Sequence, residues 1–441
     1  MFVVVSIIVS LVSSDNGQAI AQITPDQTLS TENSTINLNT SNSALPIQVI
    51  NGGATRGINL FHSFTEFNVN ANSRVYFNNP SGIENILSRV TGSQSSQIFG
   101  TLGVLGNANL FLINPNGIVF GENATLDIRG SFLATTADKI KLGEIGSFNA
   151  IHPENSNLLS LQPGVLFTDA LRQYQATITN QGNLTVGKNL TLNADNLDLK
   201  GQLNAGADLR LIAQNDLTIR DSQVKPFIAI SGGNQLIESH QIVSISAISH
   251  PDSGFFAGNN MILRSDTIKG DAHYWTGGNF EIQKLDHSPG NLLSFIDPII
   301  IAQGDVTLGN YSGSSLHILA GGSVTANYIE ITDIDTTENS INPRNTNAFL
   351  ASLAPVNLSN GKQIIIDGNK DKTLDIRAGI NWDLIPNFPG NINTSYKNTT
   401  FTNQPTSAAI NIQTIINDLT GGQEGEKAYV VRDTECGSKK R

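Results

Sequence analysis

The sequence predicts an all-β protein, a right-handed parallel β-helix in which one chain winds as a single-stranded solenoid with an amino-terminal cap and corner insertions. Short apolar-polar-apolar runs recur at a nearly constant spacing after Gly182. Earlier in the chain, short apolar runs alternate with Asn, Gly and Pro, without the 3.6-residue apolar stripe of a surface helix. Only 14% of residues are charged, while 40 are Gly, a composition typical of many short strands joined by tight turns.

The repeat is clearest in six consecutive runs of the second half. These runs are Leu184–Val186, Leu190–Leu192, Leu197–Leu199, Leu203–Ala205, Leu209–Leu211 and Leu217–Ile219. Every third run recurs after 19, 19 or 20 residues (203−184, 209−190, 217−197). Three strands per coil at that spacing predict a three-sided cross-section, in which each strand directs two apolar side chains inward and one polar side chain outward.

A turn at Asn114-Pro115-Asn116-Gly117 lies at the centre of the first half. The Asn114 side chain can bond back to the backbone, Pro115 presets φ, and Gly117 tolerates conformations that other residues resist. The flanking runs Leu110–Ile113 and Ile118–Phe120 are predicted strands. We expect a one-residue slip at this turn to expose Phe111, Ile113 or Val119, because a slip reverses which side chains face the core.

Four segments together resemble one protein family: Asn59–Val69, Ile83–Gly92, Asn114–Ile118 and Gly130–Ala137. They are similar to the amino-terminal secretion domain of filamentous haemagglutinin-like exoproteins, the large passengers of two-partner secretion in Gram-negative bacteria. The resemblance covers roughly residues 22–170. Where some members carry Asn-Pro-Asn-Leu, this chain has Asn79-Pro80-Ser81-Gly82, which still begins a turn.

The resemblance implies an exported protein that reaches the cell surface through the periplasm and the outer membrane. Its implied partner is an Omp85-type outer-membrane transporter, whose POTRA domains pair with amphipathic segments of the passenger by strand addition. It also implies adhesion to a host or neighbouring cell surface or glycan, without a cofactor. The secretion and turn residues that it marks are Asn79, Pro80, Asn114, Pro115, Asn116, Gly117 and Ile118.

The predicted organisation has four parts: a signal peptide at 1–21, the secretion domain at 22–170, β-helix repeats at 171–385, and an irregular, truncated tail at 386–441. Phe2–Val12 is apolar and Ala19-Ile20-Ala21 forms a small-x-small cleavage site, although the first basic residue is Arg56, and a buried first strand is the alternative. The residues from Gln27 to Val49 are predicted to begin the fold as a cap.

Residues 270–278 and 285–301 interrupt the repeat and are predicted to be insertions that bulge from coil corners. In the first of them, His273, Tyr274 and Trp275 form either an exposed aromatic contact or a hydrophobic plug beneath the inserted loop.

Charge and chemistry exclude several classes of protein. The formal net charge of −11 argues against a nucleic-acid partner, and the single Cys436 excludes an intramolecular disulfide. The seven histidines are dispersed without metal-ligand spacing. Asp333 and Asp335 are the candidate carboxylate pair, but they follow Ile329–Ile331 at the start of a turn.

We therefore predict that the protein is not an enzyme and binds no cofactor or metal. Two alternatives stay open: an extracellular polysaccharide-active enzyme on the same scaffold, which inward-facing carboxylates in a groove would favour, and a purely structural surface filament, which a lack of binding to cells or glycans would favour.

Overall fold

A computed structural model describes residues 22–39, 47–158, 176–336, 355–357, 363–380, 382, 408–417 and 429–432. Within these residues the regular structure is β-strand, apart from one turn of 3-10 helix at Pro153–Asn155. The all-β prediction is confirmed, whereas the predicted signal peptide lies outside the described residues. In the described part of the chain, no helix is long and apolar enough to cross a membrane.

The strands fall into an amino-terminal group, a regular series of coils and a last group. The first group is β1 (Ile23–Pro25), β2 (Ser34–Asn39), β3 (Ile47–Gly52), β4 (Ala54–Arg56), β5 (Asn59–Phe67), β6 (Arg74–Asn78), β7 (Asn85–Val90), β8 (Ser96–Ile98), β9 (Thr101–Leu105), β10 (Asn109–Ile113), β11 (Ile118–Phe120), β12 (Thr125–Asp127), β13 (Phe132–Thr135), β14 (Lys139–Leu142) and β15 (Gly146–Asn149). The second group is β16 (Thr177–Asn180), β17 (Asn183–Val186), β18 (Leu190–Ala194), β19 (Asn196–Leu199), β20 (Gln202–Ala205), β21 (Leu209–Ala213), β22 (Asp216–Arg220), β23 (Ile228–Ser231), β24 (Gln235–Ser239), β25 (Ile242–Ala247), β26 (Gly254–Ala257), β27 (Met261–Arg264), β28 (Thr267–Thr276), β29 (Phe280–Gln283), β30 (Leu292–Ser294), β31 (Ile299–Ala302), β32 (Val306–Thr307), β33 (Asn310–Gly313), β34 (Leu316–Ala320) and β35 (Val324–Ile331). The last group is β36 (Pro355–Asn357), β37 (Gln363–Ile365), β38 (Leu374–Ala378), β39 (Ile410–Asn417) and β40 (Tyr429–Arg432).

Most strands pair in parallel with the strand one coil away, and the pairings form three faces. Face 1 contains β5, β7, β10, β13, β18, β21, β24, β27, β29, β32, β35 and β39. Face 2 contains β8, β11, β16, β19, β22, β25, β28, β30, β33, β35 and β39. Face 3 contains β3, β6, β9, β12, β17, β20, β23, β26, β28, β31, β34, β38 and β40.

The predicted coil spacing agrees with the strand register. Leu184 lies beside Leu203, Leu190 beside Leu209, and Leu197 beside Leu217. All six of these leucines are buried in the continuous interior of the solenoid. Other coils are longer: Leu209 lies beside Gln235, 26 residues further along (235−209). The apolar alternation therefore predicts both the strands and their neighbours.

Antiparallel strands cover the amino-terminal end. β2 runs antiparallel to β3 at the edge of face 3, and β1 and β4 run antiparallel to β5 at the edge of face 1. An open edge of a parallel sheet presents unpaired backbone groups to other chains. The predicted cap is thus present within 22–39 and 47–56, and it closes two of the three faces.

A hydrogen-bonded ladder of short polar side chains follows the corner that leads into face 1. In each step, a side-chain oxygen accepts a hydrogen from the corresponding corner of the next coil at 2.6–3.3 Å, and the donor is a side-chain amide in the first two steps and a backbone N–H in the others. The accepting residues are Asn59, Asn85, Asn109, Ser131, Asn189, Asp208, Asn234, Asn260, Asn279, Asp305 and Ser323. We call this series the corner ladder.

Both segments that were predicted as bulging insertions contain coil strands. Residues 267–276 form β28, which pairs with β25 on face 2 and with β26 on face 3. Residues 285–301 contain β30 and part of β31. Tyr274 points into the interior, and Trp275 packs on the outside of face 3 in an apolar cluster that includes Ile380, so both are buried side chains of a strand rather than of an inserted loop.

Some side chains around the turn at Asn114 do not face the interior as predicted from the sequence. Leu110, Leu112, Ile118 and Phe120 fill the interior. Ile113 belongs to a second apolar cluster on the outside of face 1, and Phe111 packs against that cluster. The hairpin β14–β15 supplies Ile140, Leu142 and Phe148 to this outer cluster, which explains why both sides of β10 are apolar.

Part of the segment predicted as an irregular tail is regular. β39 pairs with β35, and β40 pairs with β38, so two stretches of 386–441 continue the coils. The remaining residues of that segment lie outside the described ones.

Replacement of Leu211 by Ala tests the interior of the solenoid. Leu211 is fully buried, and removing its side chain should lower the free energy of unfolding by about 2–5 kcal/mol. Ile212 is the next residue on the same strand and faces outward, so Ile212→Ala is the matched control and should cost clearly less. Urea unfolding followed by circular dichroism measures both, and equal losses would contradict the assigned facing.

Candidate functional site

The turn at Asn114 is a coil corner between face 1 and face 2, not a hairpin. Asn114 is fully buried, and its Oδ1 accepts the backbone N–H of Asn116 at 2.9 Å, as the sequence predicts. The Asn114 amide also donates to the Gln94 carbonyl and to Ser96 Oγ, both at 3.0 Å in the preceding coil. Gly117 has φ of 110°, a conformation that favours glycine.

This corner is tied to both neighbouring coils. The Asn116 amide donates to the Gly92 carbonyl at 2.8 Å, and the Gly117 carbonyl accepts the N–H of Ser96. A Cβ at Gly117 would lie 2.9 Å from the Thr177 carbonyl oxygen of the following coil. The turn therefore fixes how three successive coils stack, and Ile118 directly after it is buried.

The second predicted turn, at Asn79 and Pro80, has the same construction. The Asn79 amide donates to the Ile83 carbonyl at 2.9 Å. Its Oδ1 accepts the backbone N–H groups of Asn107 and Ala108, each at 3.1 Å, in the next coil. The two predicted turns thus lie at different corners of the same amino-terminal coils, and each asparagine bridges adjacent coils.

Arg89 is the buried charge that joins the outer elements to these coils. It lies on β7 facing the outer cluster and is fully buried, with its guanidinium 4.4 Å from the Phe148 ring centre. It donates to Ser63 Oγ (2.8 Å), Thr28 Oγ1 (2.8 Å), the Asn149 carbonyl (2.6 Å) and Ser156 Oγ (2.6 Å).

The four groups that accept hydrogen bonds from Arg89 belong to the amino-terminal segment, the first coil and the hairpin region. One side chain therefore holds three parts of the module together.

Asp26 balances this charge through bridging hydroxyls. Its carboxylate accepts from the side chains of Thr28 (2.6 Å), Ser63 (2.8 Å) and Thr91 (2.6 Å). Burial alone would raise the pKa of Asp26, but the hydrogen bonds from Thr28, Thr91 and Ser63 outweigh it and lower the pKa. Burial lowers the pKa of Arg89 to about 10, against the fields of Asp26 and Glu154, so both groups are charged at neutral pH.

His62, inside the region of resemblance, is a packed core histidine. It is fully buried between Phe64 and Phe77, and its Nδ1 lies 3.0 Å from Ser34 Oγ. Burial lowers the pKa of His62 to about 3, so the ring is neutral over the physiological range.

The candidate carboxylate pair is not formed. Asp333 is exposed, whereas Asp335 is buried against His317, with Oδ2 and Nε2 3.5 Å apart. Within the described residues, no group of three or more His, Cys, Asp or Glu side chains is arranged to hold a metal ion.

The buried positions of Arg89, Asp26 and His317 were not predicted from the sequence. In the sequence, Ser88-Arg89 sits at the end of an apolar run, like a solvent-facing polar pair. One sequence signal does point to this site. Phe61, Leu87 and Phe111 make the outward side of face 1 apolar, and an apolar sheet surface requires another element to pack over it.

The fold and this site define a β-helical module with an antiparallel cap and an outer hairpin, joined by a buried arginine. A family model described as the TPS secretion domain, where TPS denotes two-partner secretion, matches residues 21–282, and the chain belongs to this family. The match extends beyond the predicted boundary at residue 170 into the regular coils. Membership indicates a protein that is exported across the outer membrane.

A curated relative is the Heme/hemopexin-binding protein of Haemophilus influenzae, 25% identical over 191 residues. The match covers 42% of this chain and spans only 19% of that protein's length. Similar solved structures include the HMW1 secretion domain of Haemophilus influenzae, at 14% identity and TM-score 0.35, covering 88% of this chain and 98% of that one. The filamentous hemagglutinin secretion domain matches at 17% identity and TM-score 0.31, covering 71% and 99%. Both TM-scores are low, so the β-helix is established by the strand pairing of this chain itself.

Arg89→Met should destabilise the module strongly. The change keeps much of the apolar stem but leaves the Asn149 carbonyl and three hydroxyls without their charged donor, at a cost of about 3 kcal/mol. Arg129→Met is the matched control, since Arg129 is exposed in the same module and its loss should cost under about 0.5 kcal/mol. Urea unfolding compares the two, and an Arg89 variant as stable as the control would refute the role given to Arg89.

Because His62 is buried as a neutral ring, the free energy of unfolding should fall in mild acid. The pKa of His62 is about 3 in the folded chain, against 6.5 for a free histidine. The stabilisation of the folded state by the neutral ring is therefore complete above pH 6.5 and is lost as pH falls toward 3. Between pH 7.5 and 4.5 this loss amounts to about 2–3 kcal/mol.

Unfolding of wild type and His62→Gln at these two pH values measures the effect. The exposed His152→Gln serves as the control, because its ring is already in solvent. An acid loss that persists undiminished in His62→Gln would assign the sensitivity to other groups.

Proposed function

We propose that the chain is a secreted, adhesin-like exoprotein whose amino-terminal module directs export through an Omp85-type transporter and whose β-helix presents a surface for adhesion. The observation that carries the proposal is the amino-terminal module itself. Its turns at Asn79 and Asn114 and its Arg89 site lie within the family match at residues 21–282. Distant segments of the chain also meet in this module, where Arg89 contacts both Thr28 and Ser156.

The proposed partner in export is a transporter with periplasmic POTRA domains. Strands such as β10 have apolar residues on both sides, so an unfolded segment of this kind can add to a sheet edge by backbone pairing. After export, coils can fold one on another, because each coil pairs only with its neighbours. This order of events uses the local pairing between neighbouring coils.

Adhesion to a cell surface or glycan is the proposed role of the coils. Outward positions such as Thr218, Asp198 and Ser244 are polar and solvent-accessible, as a surface for other molecules requires. Binding of the full chain to cells, compared before and after glycan removal, tests this role. No binding to any cell or glycan would favour the structural filament instead.

The enzyme alternative loses its main support because Asp333 and Asp335 do not share a surface. We infer that the protein has no catalytic role and takes no cofactor. Turnover of acidic glycans by the full chain that is abolished by Asp335→Asn would overturn this inference.

The turn at Asn114 should matter more for export than for stability. Asn116→Ala with Gly117→Ala removes the bond to the Gly92 carbonyl and places a Cβ 2.9 Å from the Thr177 carbonyl, costing about 1–3 kcal/mol. We expect this double variant to block release into the medium in a strain carrying the cognate transporter. Leu211→Ala, which loses as much or more stability in a later coil, should be released more readily.

The measurement is the amount of chain in the medium relative to the amount in the cell. Equal release of the two variants would mean that this turn has no special part in export.

A further inference from the structure

Five ionisable side chains meet on the outer surface of face 3, far from the amino-terminal module. His273 lies on β28, His317 on β34 and Asp375 on β38, while Asp297 and Asp335 belong to loops. His317, Asp335 and Asp375 are only 6%, 5% and 1% exposed. Charged groups are rarely buried this deeply on the outside of a sheet without a specific reason.

The strand register brings these residues together. His273 lies beside Ile299, Ile299 beside His317, and His317 beside Asp375 in successive coils. β35 ends at Ile331 on face 2, and β38 begins at Leu374 on face 3. We call the described residues 332–336 and 366–373, which lie between these two strands in the sequence, the strap.

His317 lies between two carboxylates, one from the strap and one from the next coil. Its Nε2 is 3.5 Å from Asp335 Oδ2, and its Nδ1 is 3.5 Å from Asp375 Oδ2. Only the protonated ring carries a donor on both nitrogens. Protonated His317 can thus hold Asp335, and with it the strap, against face 3.

Backbone and hydroxyl contacts place the strap over this pair. The Gly368 carbonyl accepts from the N–H of Asp335 (2.9 Å) and from Ser315 Oγ (3.0 Å). The N–H of Thr336 donates to the Ile296 carbonyl at 3.1 Å. A Cβ at Gly368 would lie 2.2 Å from Asp335 Oδ2 and 2.9 Å from His317 Nε2, so the strap backbone rests directly on the ion pair.

Other charged groups surround the pair on every side. Arg377 donates to Asp375 at 2.9 and 3.1 Å, and His273 Nε2 lies 3.5 Å from Asp297 Oδ2. Asp271 accepts from Ser294 Oγ and from the backbone of the loop that carries Asp297. The remaining charged residues of the strap are Asp333, Asp367, Lys370, Asp371 and Lys372, and the phenol of Tyr311 lies within the fields of Asp335, Asp271 and Asp297.

Protonation of His317 and Asp335 favours contact of the strap with face 3 at acidic pH. Burial would lower the pKa of His317, but its bonds to Asp335 and Asp375 raise it to about 10. Burial raises the pKa of Asp335 to about 7, and Asp297 adds to this against the opposing effect of His317. For both groups the pKa in the folded chain exceeds the unfolded value, which is 6.5 for His317 and 3.8 for Asp335. The stability that protonation provides is therefore lost as pH rises, through about 7 for Asp335 and through about 10 for His317.

We propose that His317 and Asp335 form a proton-operated latch, which holds the strap on face 3 when both are protonated and releases it as the protons are lost. This device is separate from the export role proposed for the amino-terminal turns. It makes the contact between the strap and the outer surface of face 3 depend on pH.

Hydrogen–deuterium exchange of the full chain tests the latch. Peptides covering 332–336 and 366–378 are compared at pH 6 and pH 8.5, after correction for the intrinsic pH dependence of exchange. We expect the opening constant of the strap to rise roughly tenfold or more at the higher pH, since one pKa unit corresponds to a factor of ten. Peptides within 190–213, in coils without such a cluster, should show no corrected change.

Three variants separate charge from shape. Asp335→Asn removes the group whose pKa in the folded chain is about 7, so its strap should stay docked and the response between pH 6 and 8.5 should be strongly reduced. His317→Gln should open the strap at both pH values. Gly368→Ala should also open it at both values through steric contact, with the charges intact.

His240→Gln, in a half-exposed histidine beside Glu238, is the matched control and should leave the strap unchanged. A strap in wild type that opens equally at both pH values would overturn the proposal, as would an undiminished pH response in Asp335→Asn. If His317→Gln does not fold, wild type and Asp335→Asn still decide the question.

Discussion

Each coil of this β-helix is placed on its neighbour by the corner ladder, in which a side-chain oxygen accepts a hydrogen from the next coil. Backbone groups at a corner lie outside the regular sheet pairing and are costly to leave unsatisfied when buried. The ladder satisfies them and at the same time fixes the register of the following strand. A slip of one residue would turn Leu190 and Leu209 toward solvent, so the interior depends on this corner.

The two ends of the described chain are stabilised in different ways. In the regular coils from β16 to β35, paired strands join residues 18 to 26 positions apart, such as Ile299 with His317 and Leu209 with Gln235. In the amino-terminal module, Arg89 joins Thr28 to Ser156 and thereby closes a much longer stretch of chain. Coils can therefore be added or lost one at a time, whereas the module forms only when all its parts are present.

Much of the coil architecture could be predicted from sequence because alternation and turn residues both follow from local physics. The spacing of Leu184 and Leu203 directly gave their pairing. β28 was missed because Gly270 and Asp271 look like loop residues, and the strand passes from one face to the next without a turn. The meeting of His317 with Asp335 and Asp375 could not be predicted, since it depends on how a long excursion returns to face 3. Arg89 is buried in part because a hairpin that begins 50 residues later covers it (139−89).

The corner ladder runs along the axis of the solenoid, which gives the fold a particular response to mechanical load. A pull on one end acts first on the terminal coil, because each coil is bonded only to its neighbours. Peeling one of the regular coils between β16 and β35 frees 18 to 26 residues, which extend to at most roughly 60–90 Å. Under tension the solenoid lengthens in small separate steps, and the coils still in place keep their register while the end yields.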